Sequence, residues 1–301
     1  MNRKILSVFI TILILLSILL ITISSCCLPV KKNTSSRTRQ VFATITVPTT
    51  TTAPTTTIAK TTIAETTLET NPVGFYKNID DKIRFIIEEG MFPDSWYDEP
   101  INAKAESLNP EEIKRTRSII IKALKKYPDE VLIKNLSKVY VLSELEFYGV
   151  GFGGTNSDDS VYLTNIDYSN IWIETAFHQE FSSIFLRNYN SLFDKQAWIR
   201  INPGDFIYFF DTGVEALKKG QDSTIFDPKL NEIGFLYEYA QSTPENDFNS
   251  FAENIFMNDS YFWEAIDKYP KLKEKFDLIV KFYNSINPIF TEEYFRKISQ
   301  E

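Results

Sequence analysis

The sequence predicts an α+β fold: a small mixed sheet, one long central helix and a mainly helical C-terminal half. Three observations carry that prediction. Residues 138–148 (KVYVLSELEFY) are rich in β-branched and aromatic side chains and partly alternate, and Ser160–Thr164 (SVYLT) repeats the pattern over a shorter span, as strands do. Asn170–Asn188 then places Ile173, Phe177, Phe181, Ile184 and Phe185 at helical spacing, which makes a wide apolar face. From about residue 228 onward the apolar positions keep that helical spacing to the end of the chain.

The elements follow in order. Residues 80–89 are expected to form the first helix, with Ile83, Phe85, Ile86 and Ile87 as its apolar positions and Gly90 as its stop, since glycine tolerates the left-handed terminal residue. A second helix runs over 110–126. Asn109 is a good N-cap, Pro110 suits the first position, and Glu112 completes a capping-box pattern. Tyr127-Pro128 ends it, and Asp129–Asn135 forms a short helix. Gly149, Gly151, Gly153 and Gly154 mark a tight connection between the two strands. They do not make a phosphate loop, because they lead into a strand, lack a following lysine and precede Asp158 and Asp159. After the central helix, 202–227 reads as a polar, irregular middle. Residues 244–257 carry Phe248, Phe251, Ala252, Ile255 and Phe256 inward, and helices over 272–283 and Glu292–Ile298 close the fold.

The N-terminus reads as an address. Arg3 and Lys4 precede a run over 5–23 that is apolar apart from Ser7, Thr11, Ser17 and Thr22, as in an export signal or an uncleaved membrane span of marginal length. Ile23-Ser24-Ser25-Cys26 resembles the bacterial lipobox, which implies a signal peptide over 1–25 and a lipidated Cys26. A signal anchor with two incidental cysteines, Cys26 and Cys27, would leave the domain on the same side of the membrane. Residues 26–72 then form a tether. Threonine makes up about half of 44–70, with Pro48 and Pro54 and few charges, so there is no apolar face to fold against. As a coil it spans roughly 40 Å, enough to hold a domain over 73–301 clear of the membrane. The implied localisation is extracytoplasmic, with the membrane as a partner through the lipid.

Charge and residue counts exclude several function classes. Residues 1–72 hold 7 of the 32 basic and 2 of the 40 acidic residues, which leaves 25 basic against 38 acidic in 73–301, a net charge of −13. A domain this acidic is a poor partner for nucleic acid. His178 is the only histidine, so neither a multi-histidine metal site nor a catalytic histidine pair is available. Both cysteines precede the domain, which therefore has no disulfide and no cysteine ligand. The 24 Phe, 15 Tyr and 4 Trp serve either as core or as the lining of a groove.

The segment AFHQEFSSI, 176–184, resembles the active-site helix of zincin metallopeptidases. More narrowly, it is similar to zinc-binding metallopeptidase lipoproteins whose helix reads His-His-Glu-Phe-x-His-Ile-Leu. Gly153-Gly154-Thr155 with Val161-Tyr162-Leu163 resembles the turn and edge strand before that helix. Gly234-Phe235-Leu236, Tyr239-Ala240, Pro244-Glu245-Asn246-Asp247-Phe248 and Ala252-Glu253 resemble the later helix that bears an acidic third ligand. In His-Glu-x-x-His the two imidazoles lie four residues apart on one helix face and reach one zinc, and the glutamate takes a proton from its water. Two frames fit this sequence. With His178 first, the base position is Gln179 and the second ligand position is Ser182. With Gln179 first, Glu180 keeps the base position while Gln179 and Ser183 replace both imidazoles. The second frame matches the family better, treating His178 as the extra histidine before the motif. Neutral amide and hydroxyl oxygens are weak zinc ligands.

The resemblance therefore implies a peptidase scaffold whose zinc site is lost. Glu180 would be a remnant general base, and a cleft lined by Tyr162, His178, Gln179, Ser183 and Tyr239 would bind an extended peptide or surface polymer beside residues 161–163. No cofactor is expected, and zinc only if the site is intact. Another arrangement sets Glu174 and His178, four apart, around a metal with Asp247 or Glu253. An active metal-dependent peptidase built from Glu174, His178, Glu180 and an acid of 245–253 remains an alternative. So does an adhesion or solute-binding lipoprotein unrelated to peptidases. The plainer readings are a hydrogen-bonding core histidine, a salt-bridged Glu180, and an ordinary helix start at 244–248 with acids favoured by the dipole.

Overall fold

The computed structural model describes residues 79–298. The expected export signal over 1–25, the expected lipidation of Cys26 and the expected tether over 26–72 lie outside the described residues. The chain opens with a one-turn 3-10 helix, Ile79–Lys82, followed by strand β1 (Ile83–Arg84). This corrects the helix expected over 80–89. Ile83 and Phe85 are buried, while Ile86 and Ile87 are 57% and 50% exposed, so two residues that the helical reading placed inward face solvent. β1 pairs in parallel with Val139 and Tyr140, and that pairing supplies backbone partners that a short isolated helix would have to find within itself.

Strand β2 (Lys104–Ser107) precedes helix α1 (Pro110–Leu124) and helix α2 (Asp129–Asn135). The Asn109 side chain accepts from Glu111 N–H, so the cap is real. The box itself is not formed, because Asn109 bonds one residue before Glu112 and Glu112 turns its carboxylate to Arg115 and Asn165. Strands β3 (Lys138–Phe147), β4 (Val150–Gly151), β5 (Gly154–Asn156) and β6 (Ser160–Thr164) complete a mixed sheet among the described residues. β3 lies parallel to β1 and β6 and antiparallel to β2 and β4, and β5 runs antiparallel along the far side of β6. β6 therefore has a neighbour on each side, and the edge strand is β5. The expectation of a ligand strand beside 161–163 is corrected accordingly: the outermost strand is β5, one strand further out, and its three residues are buried.

Side chains alternate across the sheet. Tyr140 and Tyr162 share one face, stacked at 5.1 Å, with the Tyr162 hydroxyl donating to the Met91 carbonyl and Phe92 and Trp96 packed around it. Val139, Val141, Val161 and Leu163 are buried on the other face, beneath the central helix α3 (Asn170–Asn188). Ser169 caps α3 by accepting from Trp172 N–H. Trp172 through Phe185 are all buried, so α3 has no solvent face along most of its length. It packs against the sheet, α1 and a later helix, and its polar residues are enclosed with the rest.

The C-terminal half comprises α4 (Lys195–Ile201), α5 (Gly213–Lys219), α6 (Pro228–Ile233), α7 (Pro244–Asn254), α8 (Ser260–Lys268), α9 (Pro270–Ile286) and α10 (Glu292–Ile298). The middle expected to be irregular thus contains α5, whose end at Gly220 is left-handed with φ 66°, as a glycine stop permits. The sheet and these helices meet in an aromatic core. Tyr127 lies 5.1 Å from Phe181 and 4.6 Å from Phe256, and Phe181 lies 4.3 Å from Phe185, centroid to centroid. Phe181→Ala is expected to lower unfolding stability by about 3–5 kcal/mol through lost burial and the cavity left behind, measured by equilibrium urea denaturation.

Candidate functional site

Helix α3 turns its polar side chains in three directions, and the sequence-predicted site residues divide among them. Glu174 and His178, one turn apart, face α1 and the aromatic core. Glu174 pairs with Lys126 at 2.6 Å and with Lys122 at 3.6 Å, and Lys126 also donates to the Phe256 carbonyl at 2.5 Å. His178 Nδ1 shares a hydrogen bond with the Tyr127 hydroxyl at 2.8 Å, and the ring stacks on Phe256 at 4.7 Å. The imidazole is 0% exposed and its Nε2 has no hydrogen-bond partner among the described residues. Burial, reinforced by the positive charges of Lys126 and Lys122, pushes its pKa well below the ordinary histidine value. It is a neutral core group. The expected metal pair of Glu174 and His178 is instead a lysine-bound carboxylate and a stacked ring.

The second direction is the sheet. Glu180 is fully buried and accepts from Asn156 Nδ2 at 2.7 Å. It lies over Gly154 so closely that a Cβ there would sit 3.0 Å from Glu180 Cγ and Oε1 and 3.1 Å from the Tyr162 carbonyl; only glycine leaves room for the carboxylate. Gly154 and Asn156 thus face α3, and the alternation sends Tyr162 to the opposite side. Tyr162, expected in the cleft, belongs to the layer formed with Met91 and Phe92.

The third direction is α7. The Ser182 hydroxyl donates to Asn249 Oδ1 at 2.5 Å, and Asn249 Nδ2 donates to Ser183 Oγ at 2.8 Å. With the Phe256–His178 contact, these bonds fix an antiparallel α3–α7 pairing. Gln179 and Ser183 are four apart on α3, and Asn249 and Glu253 are four apart on α7, so each pair shares a helix face. Glu253 therefore lies level with the Gln179 turn. Its Oε1 accepts from the Tyr237 hydroxyl at 2.9 Å and from Asn254 at 3.2 Å. Tyr239 is buried in the adjoining one-turn segment Glu238–Gln241, its N–H bonded to the Ser223 carbonyl.

Asp247 takes none of these directions. On the back of α7 its Oδ2 accepts from Trp198 Nε1 (2.8 Å), the Tyr208 hydroxyl (2.6 Å) and Lys275 Nζ (2.7 Å). Burial pushes the aspartate pKa up and the lysine pKa down, each opposed by the other's charge. The acids expected to converge, Glu174, Asp247 and Glu253, are thus held on separate faces by separate partners.

The place that the resemblance assigns to zinc holds Gln179, Ser183 and Glu253. An amide and a hydroxyl stand where imidazoles would be needed, and Ser183 is already bonded to Asn249. Among the described residues no group of three or more His, Cys, Asp and Glu side chains could hold a metal ion. The donors present do not fit a zinc ion. They offer a carboxylate beside a strand edge. Thr164 N–H bonds to the Gly153 carbonyl and Ser157 N–H to the Ser160 carbonyl. Antiparallel pairs alternate, so the N–H and C=O groups of Gly154 and Asn156 point away from β6. Asn156, Asn249, Tyr237 and Arg187 escaped the sequence reading. The four-residue spacing of Asn249 and Glu253, matching that of Gln179 and Ser183, was the one available signal.

Two outcomes follow from these environments. An unfolded histidine binds a proton near pH 6.5, while buried His178 resists it, so unfolding takes up a proton and stability falls as pH drops below about 6.5. In urea denaturation at pH 7 and pH 5, His178→Asn is expected to lose less stability across that interval than the native chain. Lys275→Met leaves the buried Asp247 carboxylate without its cation and is expected to cost about 3–5 kcal/mol. The Lys275→Met, Asp247→Leu pair recovers part of it in the same assay.

No family model matches the chain, and no curated protein matches it. Among solved structures, the fold is similar to one described as a "putative zinc-binding metallo-peptidase" from Bacteroides caccae ATCC 43185, at 15% sequence identity and a TM-score of 0.49, over 75% of this chain and 88% of that one.

Proposed function

We propose that the domain is a zincin-type peptidase scaffold that has lost its metal and acts by binding an extended peptide. In this reading the chain is a lipoprotein, held through Cys26 and its tether at the extracytoplasmic side of the membrane. The observation that supports binding is the outward pair of Gly154 and Asn156 backbone groups beside Glu180. A peptide strand adding to β5 would pair with those groups and lay one side chain toward Glu180. Strand addition draws its affinity from main-chain hydrogen bonds and needs no metal. The observation that supports loss of hydrolysis is the position of His178, turned into the aromatic core and away from the Gln179–Ser183 face. The cleft residues are buried in this structure, so a ligand enters with local opening along β5.

Metal analysis of the purified chain tests the reading. The expected result is no stoichiometric zinc, and one tightly held zinc per chain overturns it. The Gln179→His, Ser183→His double variant is expected to gain zinc, because Glu253 already stands level with that face. Peptide cleavage that disappears both in Glu180→Gln and in chelator would instead support a working peptidase with an atypical site.

A further inference from the structure

A chain of side chains joins the last turn of α3 to Glu180 by way of the edge strand. Arg187 donates through one guanidinium nitrogen to the Ser157 carbonyl at 2.7 Å and through the other to Asn156 Oδ1. Asn156 Nδ2 in turn donates to Glu180 Oε2 at 2.7 Å. An asparagine amide can sit either way round, and the two ends have opposite hydrogen-bonding roles. The guanidinium can only donate, so the oxygen of Asn156 must face Arg187 and its NH2 must face Glu180. The planar fork of arginine suits this task, reaching the backbone carbonyl of the β5–β6 turn and the amide oxygen of the preceding residue together.

We propose that Arg187 is the positioning residue of this cleft, acting through Asn156 to orient Glu180 in the absence of a metal. The same Asn156 presents its N–H and C=O on the outer edge of β5, so the residue that would pair with a ligand strand is also the one that holds the carboxylate. Strand addition, through the backbone of Asn156, and carboxylate orientation, through its side chain, are therefore coupled in one residue. The orientation part stands on the hydrogen bonds alone. The coupling part rests on the proposed peptide-binding reading.

Solvent exchange of the Asn156 side-chain amide, followed by NMR on the ligand-free chain, tests the orientation. In Arg187→Met the Asn156 amide is expected to lose its fixed direction and exchange about tenfold faster, with the backbone amide signals of α7 and α9 and the indole signals of Trp198 in α4 and Trp263 in α8 unchanged. Arg187→Lys, which keeps the charge without the fork, is expected to fall between. Equal Asn156 exchange in the native chain and Arg187→Met overturns the proposal, and so does an effect spread over the whole domain, which would make Arg187 a general structural staple. Backbone exchange at Gly154 and Asn156 in the presence of a pool of extended decapeptides tests the coupling. Protection in the native chain that is lost in Arg187→Met is the expected result. Equal protection in both chains overturns the coupling. No protection in either, with the Asn156 side-chain effect intact, overturns the peptide reading and the coupling with it, and leaves the orientation standing.

Discussion

Burial of the central helix on every side is the constraint from which the rest of the domain follows. A helix with a solvent face can leave its polar residues in water. Helix α3 cannot, because Trp172 through Phe185 are all enclosed, and a buried polar group without a partner costs about 1–3 kcal/mol. Most of its charged and polar side chains therefore bond to residues outside the helix, although the Thr175 hydroxyl has no partner among the described residues. Glu174 takes Lys126 from the residues just after α1, His178 takes Tyr127, Glu180 takes Asn156 from the edge strand, and the Ser182–Ser183 pair takes Asn249 from α7. These bonds set how each element lies against the helix.

The same constraint explains why Glu174, Asp247 and Glu253 are held apart. A buried carboxylate is stable only when something offsets its charge. Here that role falls to lysines at Glu174 and Asp247 and to neutral donors at Glu180 and Glu253. The lysine-bound acids are buried between elements, where Glu174 ties α3 to the end of α1 and Asp247 ties α7 to α9. Of the acids bonded to amide and hydroxyl groups, Glu180 lies between α3 and β5 and Glu253 lies on α7 against Tyr237. That division separates a structural pair of ion bridges from a polar junction beside the outermost strand β5, itself buried, and it is the physical basis for the proposed reading of the junction as a binding site.

Much of this was legible in the residues. The β-branched runs at 138–148 and 160–164 became β3 and β6, the capped stretch after Asn109 became α1, and the stretches of helical apolar spacing became α3 and α7, because local propensity and hydrophobic period agreed there. Residues 80–89 went wrong for a physical reason. Four apolar residues in five positions fit a helix or a strand, and only the presence of β3 as a pairing partner decides between them. The site was legible as a set of positions on α3 and α7 but not as a set of contacts. His178 reads as a ligand candidate until its ring is seen stacked on Phe256, and Tyr162 reads as a cleft residue until the alternation of β6 is seen to turn it away.

The sequence by itself determined the acidic domain, the single histidine, the absence of cysteine from the fold, and the order of strand, glycine connection, central helix and later helix. These are matters of composition and local periodicity, which need no partner. The tertiary structure alone decided which strand lies at the edge, which way each polar side chain of α3 points, and that Asn156 and Arg187 stand behind Glu180. Those facts depend on residues from about 24 to 67 positions apart meeting in space, and no local pattern records such a meeting.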